Sequence, residues 1–191
     1  MITIKNITLR NFLSIGNVTQ AVSFDKKDIT LILGENLDLG GDGARNGTGK
    51  TTLIQGLSYA LFGQPINNIR KDNLVNRTNA KGMMVTLEFN VNGTDYKIER
   101  GRKPNVLKFY VNDVQQKATE DQQGENKETQ AAIERVLNMT PEMFKHIVVL
   151  NTYSEPFLAL KNLRVITYKL FGGNTDGFLC TFGQTFTGDA F

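Results

Sequence analysis

Gly47-Thr48-Gly49-Lys50-Thr51-Thr52 is a run whose residue types suit one task, which is holding a chain of phosphates. Glycines let the backbone curl until successive N–H groups converge on phosphate oxygens, and a helix that begins directly afterwards turns its positive end toward the same anion. In that arrangement Lys50 bridges the β- and γ-phosphates of a nucleoside triphosphate, and the Thr51 hydroxyl holds Mg²⁺. The strict pattern G-x-x-x-x-G-K-[ST] fails at one place, because Ala44 stands where the first glycine belongs. An insertion accounts for the irregularity. Gly34-Glu35-Asn36 supplies the opening glycine, residues 37–44 bulge out, and the loop resumes at Asn46; such an excursion costs little because loop-closure entropy grows slowly with length. The alternative is a Gly-rich surface loop before an ordinary helix.

Positioning such a loop needs a strand before it and a helix after it. The apolar run at 29–34 provides the strand, and Leu53, Ile54, Leu57, Ala60 and Leu61 mark one face of the helix, with Gly63 placed to end it and Pro65 to prevent its resumption. Two further strands, at 1–9 and 18–24, precede the loop. From 83 to 111 the period becomes two, through Val85-Leu87-Phe89-Val91, Tyr96-Ile98 and Leu107-Phe109-Val111, broken by Asn92-Gly93 and Pro104-Asn105. This predicts a three-stranded antiparallel meander. Residues 118–127 read as a surface loop, 128–137 as a helix burying Ile133, Val136 and Leu137, Thr140-Pro141-Glu142 as the start of a short helix, and Ile147-Val148-Val149-Leu150 as a buried strand.

Composition sets outer bounds. The chain has 191 residues, 40% hydrophobic and 21% charged, enough for one globular core with a small appendage. A net charge of +3 gives no global argument for nucleic-acid binding, so any such contact rests on a local patch. Cys180 is the single cysteine and allows no intrachain disulfide, and no apolar run is long enough to span a bilayer, so the expectation is a cytoplasmic protein with no membrane partner. His146 reads as structural, and Asp25, Asp28, Asp38 and Asp42 lack metal-site spacing. Arg100, Arg102 and Lys103 form a basic hairpin end, either a solvated turn or a contact for DNA phosphates.

The order of parts resembles a known family. Leu9-Arg10-Asn11-Phe12-Leu13-Ser14 between the opening strands, the phosphate loop, the helix end Tyr59-Ala60-Leu61-Phe62-Gly63, the meander with Gly101-Arg102-Lys103-Pro104-Asn105-Val106, and Phe144-Lys145-His146-Ile147-Val148-Val149-Leu150 are similar to the SbcC-type DNA double-strand-break repair ATPases and their phage recombination-endonuclease members. The resemblance covers about residues 1–160. It implies an α/β P-loop NTPase fold, specifically the N-terminal lobe of an ABC/SMC-type head carrying an antiparallel β meander, over 1–161. It also implies ATP and Mg as ligands. Asn46, Gly47, Thr48, Gly49, Lys50, Thr51 and Thr52 then take the phosphate and metal contacts, with Arg10 and Asn11 near the nucleotide. Where the family has a metal- or water-binding glutamine this chain has Asn151, one methylene shorter.

The partners so implied are a second head that sandwiches the nucleotide, a metal-dependent nuclease subunit, and DNA. The second half of such a head, with a Ser-Gly-Gly signature, an Asp-Glu strand end and a switch histidine beyond a coiled coil, has no counterpart. Leu170-Phe171-Gly172-Gly173 puts Phe171 where the signature has serine. The chain therefore reads as a fragment with no water-activating acid, and 162–191 as an atypical tail, either a disordered end or a frame-diverged stretch. Two other functions fit the loop: a truncated nucleotide-binding module without turnover, and a small-molecule P-loop kinase. The early strands and the meander weigh against the kinase.

Overall fold

A computed structural model describes residues 2–24, 31–34, 48–116 and 122–149, without the side chains of 122–125. Alternating apolar residues build β1 (Ile2–Arg10), β3 (Met83–Val91) and β4 (Thr94–Arg102), joined by the shorter β2 (Gln20–Ser23), β5 (Val106–Val111) and β6 (Val114–Gln116). All pair antiparallel in one six-stranded sheet of order β2-β1-β3-β4-β5-β6. The strand period puts Ile7, Leu9, Val85, Leu87, Phe89, Ile98 and Phe109 on one buried face. Helix α1 (Lys50–Phe62) lies against β1, β3 and β4, and α2 (Gln122–Leu137) against β5 and α1. The opposite face carries ion pairs, Lys5–Asp95 at 2.9 Å and Glu99 with Lys97 at 3.0 Å and Lys108 at 3.9 Å.

The expected helix after the loop is α1, and Gly63 ends it in the left-handed region, donating its N–H to the Tyr59 carbonyl at 2.8 Å. Four expectations need correcting. The meander has a fourth strand and is continuous with β1 and β2. Asn112 and Asp113, with φ of 47° and 64°, make the same kind of two-residue turn into β6 as Asn92 and Gly93 make into β4. The strand expected at 29–34 is not formed by Leu31–Gly34, the described part. Among the described strands none pairs with it, and Leu31 and Leu33 are 76% and 69% exposed. Helix α2 starts at Gln122, inside the expected loop; Gln122, Gln123, Glu125 and Lys127 favour helix without announcing an apolar face, although Gly124 and Asn126 do not.

The fourth correction lies in a separate compact unit, Pro141–Phe191, of which Pro141–Val149 is described. Pro141 opens the short helix α3 (Pro141–Met143), as its fixed φ suits. The apolar residues that follow are wound into a π-helix, Phe144–Val148, closed by Val149 N–H on the Phe144 carbonyl at 2.9 Å, with Ile147 and Val148 exposed. A short apolar run fits strand or helix equally by pattern. Leu150, Asn151 and the expected tail lie outside the described residues.

Candidate nucleotide-binding site

Gly49 occupies the N-cap position of helix α1, and its φ of 87° and ψ of 6° place it in the left-handed region that a side chain disfavours. Gly49 has no side chain to cap the helix, and the first turn holds no acidic residue. The leading N–H groups of α1 have no intrahelical acceptors and point out of its positive end. Just ahead of them Lys50 donates from Nζ to Thr48 Oγ1 at 3.1 Å, which draws the ammonium back over the loop. Thr51 is exposed on the same turn, whereas Thr52 is buried. Gly34 is pressed against Thr48, so that a Cβ added there would overlap the threonine side chain. Gly34 and Thr48 are thus side by side although 13 residues, 35–47, separate them in sequence; Asn46 and Gly47 are among those and lie outside the described residues.

One contact had no signal in the sequence. Ser14 Oγ stands 3.0 Å from Thr52 Oγ1, tying the segment after β1 to the first turn of α1. Asn11 shapes the turn that delivers it. Asn11 is buried, with φ 50°; its Nδ2 donates to the Lys81 carbonyl at 2.9 Å and its Oδ1 accepts from Asn79 Nδ2 at 2.8 Å. Asn76 extends the network, donating from Nδ2 to the Leu13 carbonyl at 3.0 Å. Ser14 also borders an open polar cleft of about 660 Å³ that Arg70, Asn73, Asn76 and Arg77 line.

Arg10 is placed differently. Ile7 and Leu9 are buried on the helix-bearing face, so the strand alternation turns Arg10 to the other face, where Nε and Nη2 donate to Asn17 Oδ1 at 3.2 and 2.8 Å. The three cations of the expected basic hairpin end are also separated. Arg100 is turned inward: Nε donates to the Ala60 carbonyl at 3.0 Å, Nη2 to Gln130 Oε1 at 2.5 Å, and the guanidinium lies 5.9 Å from the Tyr59 ring centre. Burial lowers it to about 10, with the Tyr59 and Glu134 charges opposing the shift. A cation there meets the negative end of α1. Arg102 pairs with Asp72 at 2.7 Å, and the contact holds the Asp72 carboxyl below its ordinary range. Lys103 alone of the three is exposed and outside every ion pair among the described residues.

The residues present fit a triphosphate. An uncapped helix start, a left-handed glycine, one ammonium and an exposed hydroxyl suit polyphosphate oxygens, and the first turn offers no carboxylate to repel them. Among the described residues no group of three His, Cys, Asp or Glu side chains could cage a metal. A magnesium ion here would take Thr51 as a protein ligand and draw the rest from phosphates and water.

A sheet backed by a helix that starts at a Gly-Lys-Thr loop defines a P-loop NTPase. Residues 6–166 match the model of the AAA domain family, and the chain belongs to that family. It is 33% identical over 158 residues to Exonuclease subunit 2 of Enterobacteria phage T4, covering 82% of this chain and 26% of that protein. It is also 36% identical over 111 residues to the DNA double-strand break repair Rad50 ATPase of Methanococcus maripaludis, 57% of this chain and 10% of that one. The chain thus spans about a quarter of the length of the phage relatives it matches. A solved structure, from work on ATP-driven dimerization and DNA-stimulated activation of SMC ATPases, superposes with a TM-score of 0.55 at 16% identity, over 88% of this chain and 99% of that one. At that identity the likeness shows a shared fold and nothing further. No described helix is long and apolar enough to cross a membrane.

Proposed function

We propose that this chain is an ATP-binding lobe of a DNA recombination and double-strand-break repair ATPase. The observation that carries the reading is the uncapped start of α1 at left-handed Gly49, with Lys50 drawn over the loop and Gly34 closing its base against Thr48. Backbone N–H groups of the first turn and Lys50 hold the β- and γ-phosphates, and Thr51 takes Mg²⁺. The polar cleft beside Ser14 receives the nucleoside end, with the Asn11 network fixing its wall. The names of the relatives, an exonuclease subunit and repair ATPases, support placing this binding step in DNA end processing, beside a metal-dependent nuclease and with a second head across the nucleotide. Asn151 is the further metal or water ligand in this reading, and residues 1–161 are the lobe.

Calorimetric titration with Mg-ATP tests it. Lys50→Ala should bind at least about tenfold more weakly than the unaltered chain, as expected for a lost charge-assisted contact of roughly 1.5–3 kcal/mol. Equal affinities would remove Lys50 from the site.

A further inference from the structure

The turn after β1 is held in a conformation that its own residues disfavour. Asn11 and Leu13 have φ of 50° and 51°, in the left-handed region, and neither is a glycine. Asparagine tolerates that region, but a leucine there is strained, and such strain persists only where the surroundings over-determine it. Here they do. The Leu13 N–H donates to the Leu74 carbonyl at 2.7 Å, the Asn11 N–H to the Gly16 carbonyl at 2.8 Å, and the Asn76 N–H to the Asn11 carbonyl at 2.8 Å. Asn76 Nδ2 adds its bond to the Leu13 carbonyl at 3.0 Å. Phe12, between the two strained residues, is fully buried, bridged to Val75 and 5.8 Å from the Tyr59 ring. Ser14 comes next and is exposed, so this buried frame fixes its position and its own packing does not.

The frame delivers a hydroxyl to the start of α1. Ser14 Oγ is 3.0 Å from Thr52 Oγ1 and 3.8 Å from where a Cβ on Gly49 would stand. Neither hydroxyl has another hydrogen bond among the described residues. Two hydroxyls carry two protons and their mutual bond uses one, so the pair keeps one O–H donor for a third partner. A helical threonine otherwise turns its hydroxyl back onto a carbonyl of the preceding turn, and Ser14 gives Thr52 a partner outside its helix. We infer that Ser14 is a positioning residue for the triphosphate: it holds the Thr52 hydroxyl so that the proton left over in the pair is donated to an oxygen of the α-phosphate. Lys50 and Thr51, earlier in the same turn, serve the β- and γ-phosphates and Mg²⁺, and Ser14 borders the cleft that takes the nucleoside end, so the pair stands between the two. This role deepens the proposed nucleotide site and rests on that reading.

Calorimetric titration of the full chain with Mg-ATP and with Mg-ADP tests it. Ser14→Ala should weaken both by the same factor, about three- to tenfold, the size of one ordinary hydrogen bond, because the α-phosphate is common to both nucleotides. Ser14→Thr keeps the hydroxyl and should bind within about twofold of the unaltered chain. Thr52→Val should lose at least as much as Ser14→Ala, and Ser14→Ala/Thr52→Val should bind no more weakly than Thr52→Val alone, since one residue acts through the other. The thermal midpoint of Ser14→Ala without nucleotide should match that of the unaltered chain, because the lost hydroxyl is exposed. Unchanged affinity in Ser14→Ala, a loss confined to ATP, additive losses in the double variant, or no recovery in Ser14→Thr would each overturn the role. Any of these leaves the Mg-ATP site standing while Lys50→Ala still weakens binding, whereas equal binding by Lys50→Ala would remove the site and the role together.

Discussion

Arg100 shows how much one side chain can settle. Its guanidinium is taken out of water to bond the Ala60 carbonyl and Gln130, while Gln130 Nε2 reaches the Leu61 carbonyl at 3.2 Å, so two carbonyls at the end of α1 find donors from β4 and α2. The lowering to about 10 means that the site as a whole disfavours the cation by about 3 kcal/mol, burial outweighing the Tyr59 and Glu134 charges. Its folded value lies below its unfolded one, so this cost is present in full at all lower pH and is relieved only as pH rises from about 10 toward 12.5. Stability near neutrality therefore carries no pH dependence from Arg100. Arg100→Ala should destabilise the fold by about 2–4 kcal/mol, because the Ala60 carbonyl and the Gln130 amide lose their donor inside the protein. Urea unfolding measures it, and a change under about 0.5 kcal/mol would mean that water replaces the guanidinium freely.

At the scale of elements, the proposed phosphate loop has Gly34 and Thr48, which flank residues 35–47 in sequence, side by side. Gly34 touches Thr48, so the chain between them need not bridge any distance. Joining Gly34 to Asn46 through two residues in place of 35–45 should leave Mg-ATP affinity within about threefold. Calorimetry on a variant with unchanged thermal stability checks it, and a collapse in affinity would show that the segment supplies ligands. The start of α1 after Gly49 and its end at Gly63 were legible because both ends depend on a glycine's own backbone freedom. So were β1 and most of the meander, where one buried face forces strict alternation. The Ser14–Thr52 contact and the inward turn of Arg100 were not legible, since they join residues far apart in the chain and leave no local pattern. Residues 126–128 of α2 are exposed and carry no apolar signal, and the run after Phe144 is too short to declare its period.

Across the first unit, from Met1 to Thr140, the sheet divides two kinds of chemistry. One face buries an apolar layer under α1, whose start offers a site for phosphates; the other carries paired charges and the Arg10 side chain bonded to Asn17. Nucleotide binding should thus order one end of one helix and leave the far strands of the sheet as they are. Hydrogen–deuterium exchange with and without saturating Mg-ATP reads this directly, since a ligand that binds only the closed amides slows their opening. Amides of residues 49–54 should exchange at least about tenfold more slowly with nucleotide, while those of β5 and β6 keep their rates, and Lys50→Ala should abolish the difference. Saturating Mg-ATP that leaves residues 49–54 unprotected, or protects the chain only elsewhere, would contradict the assignment of the start of α1 as the triphosphate site.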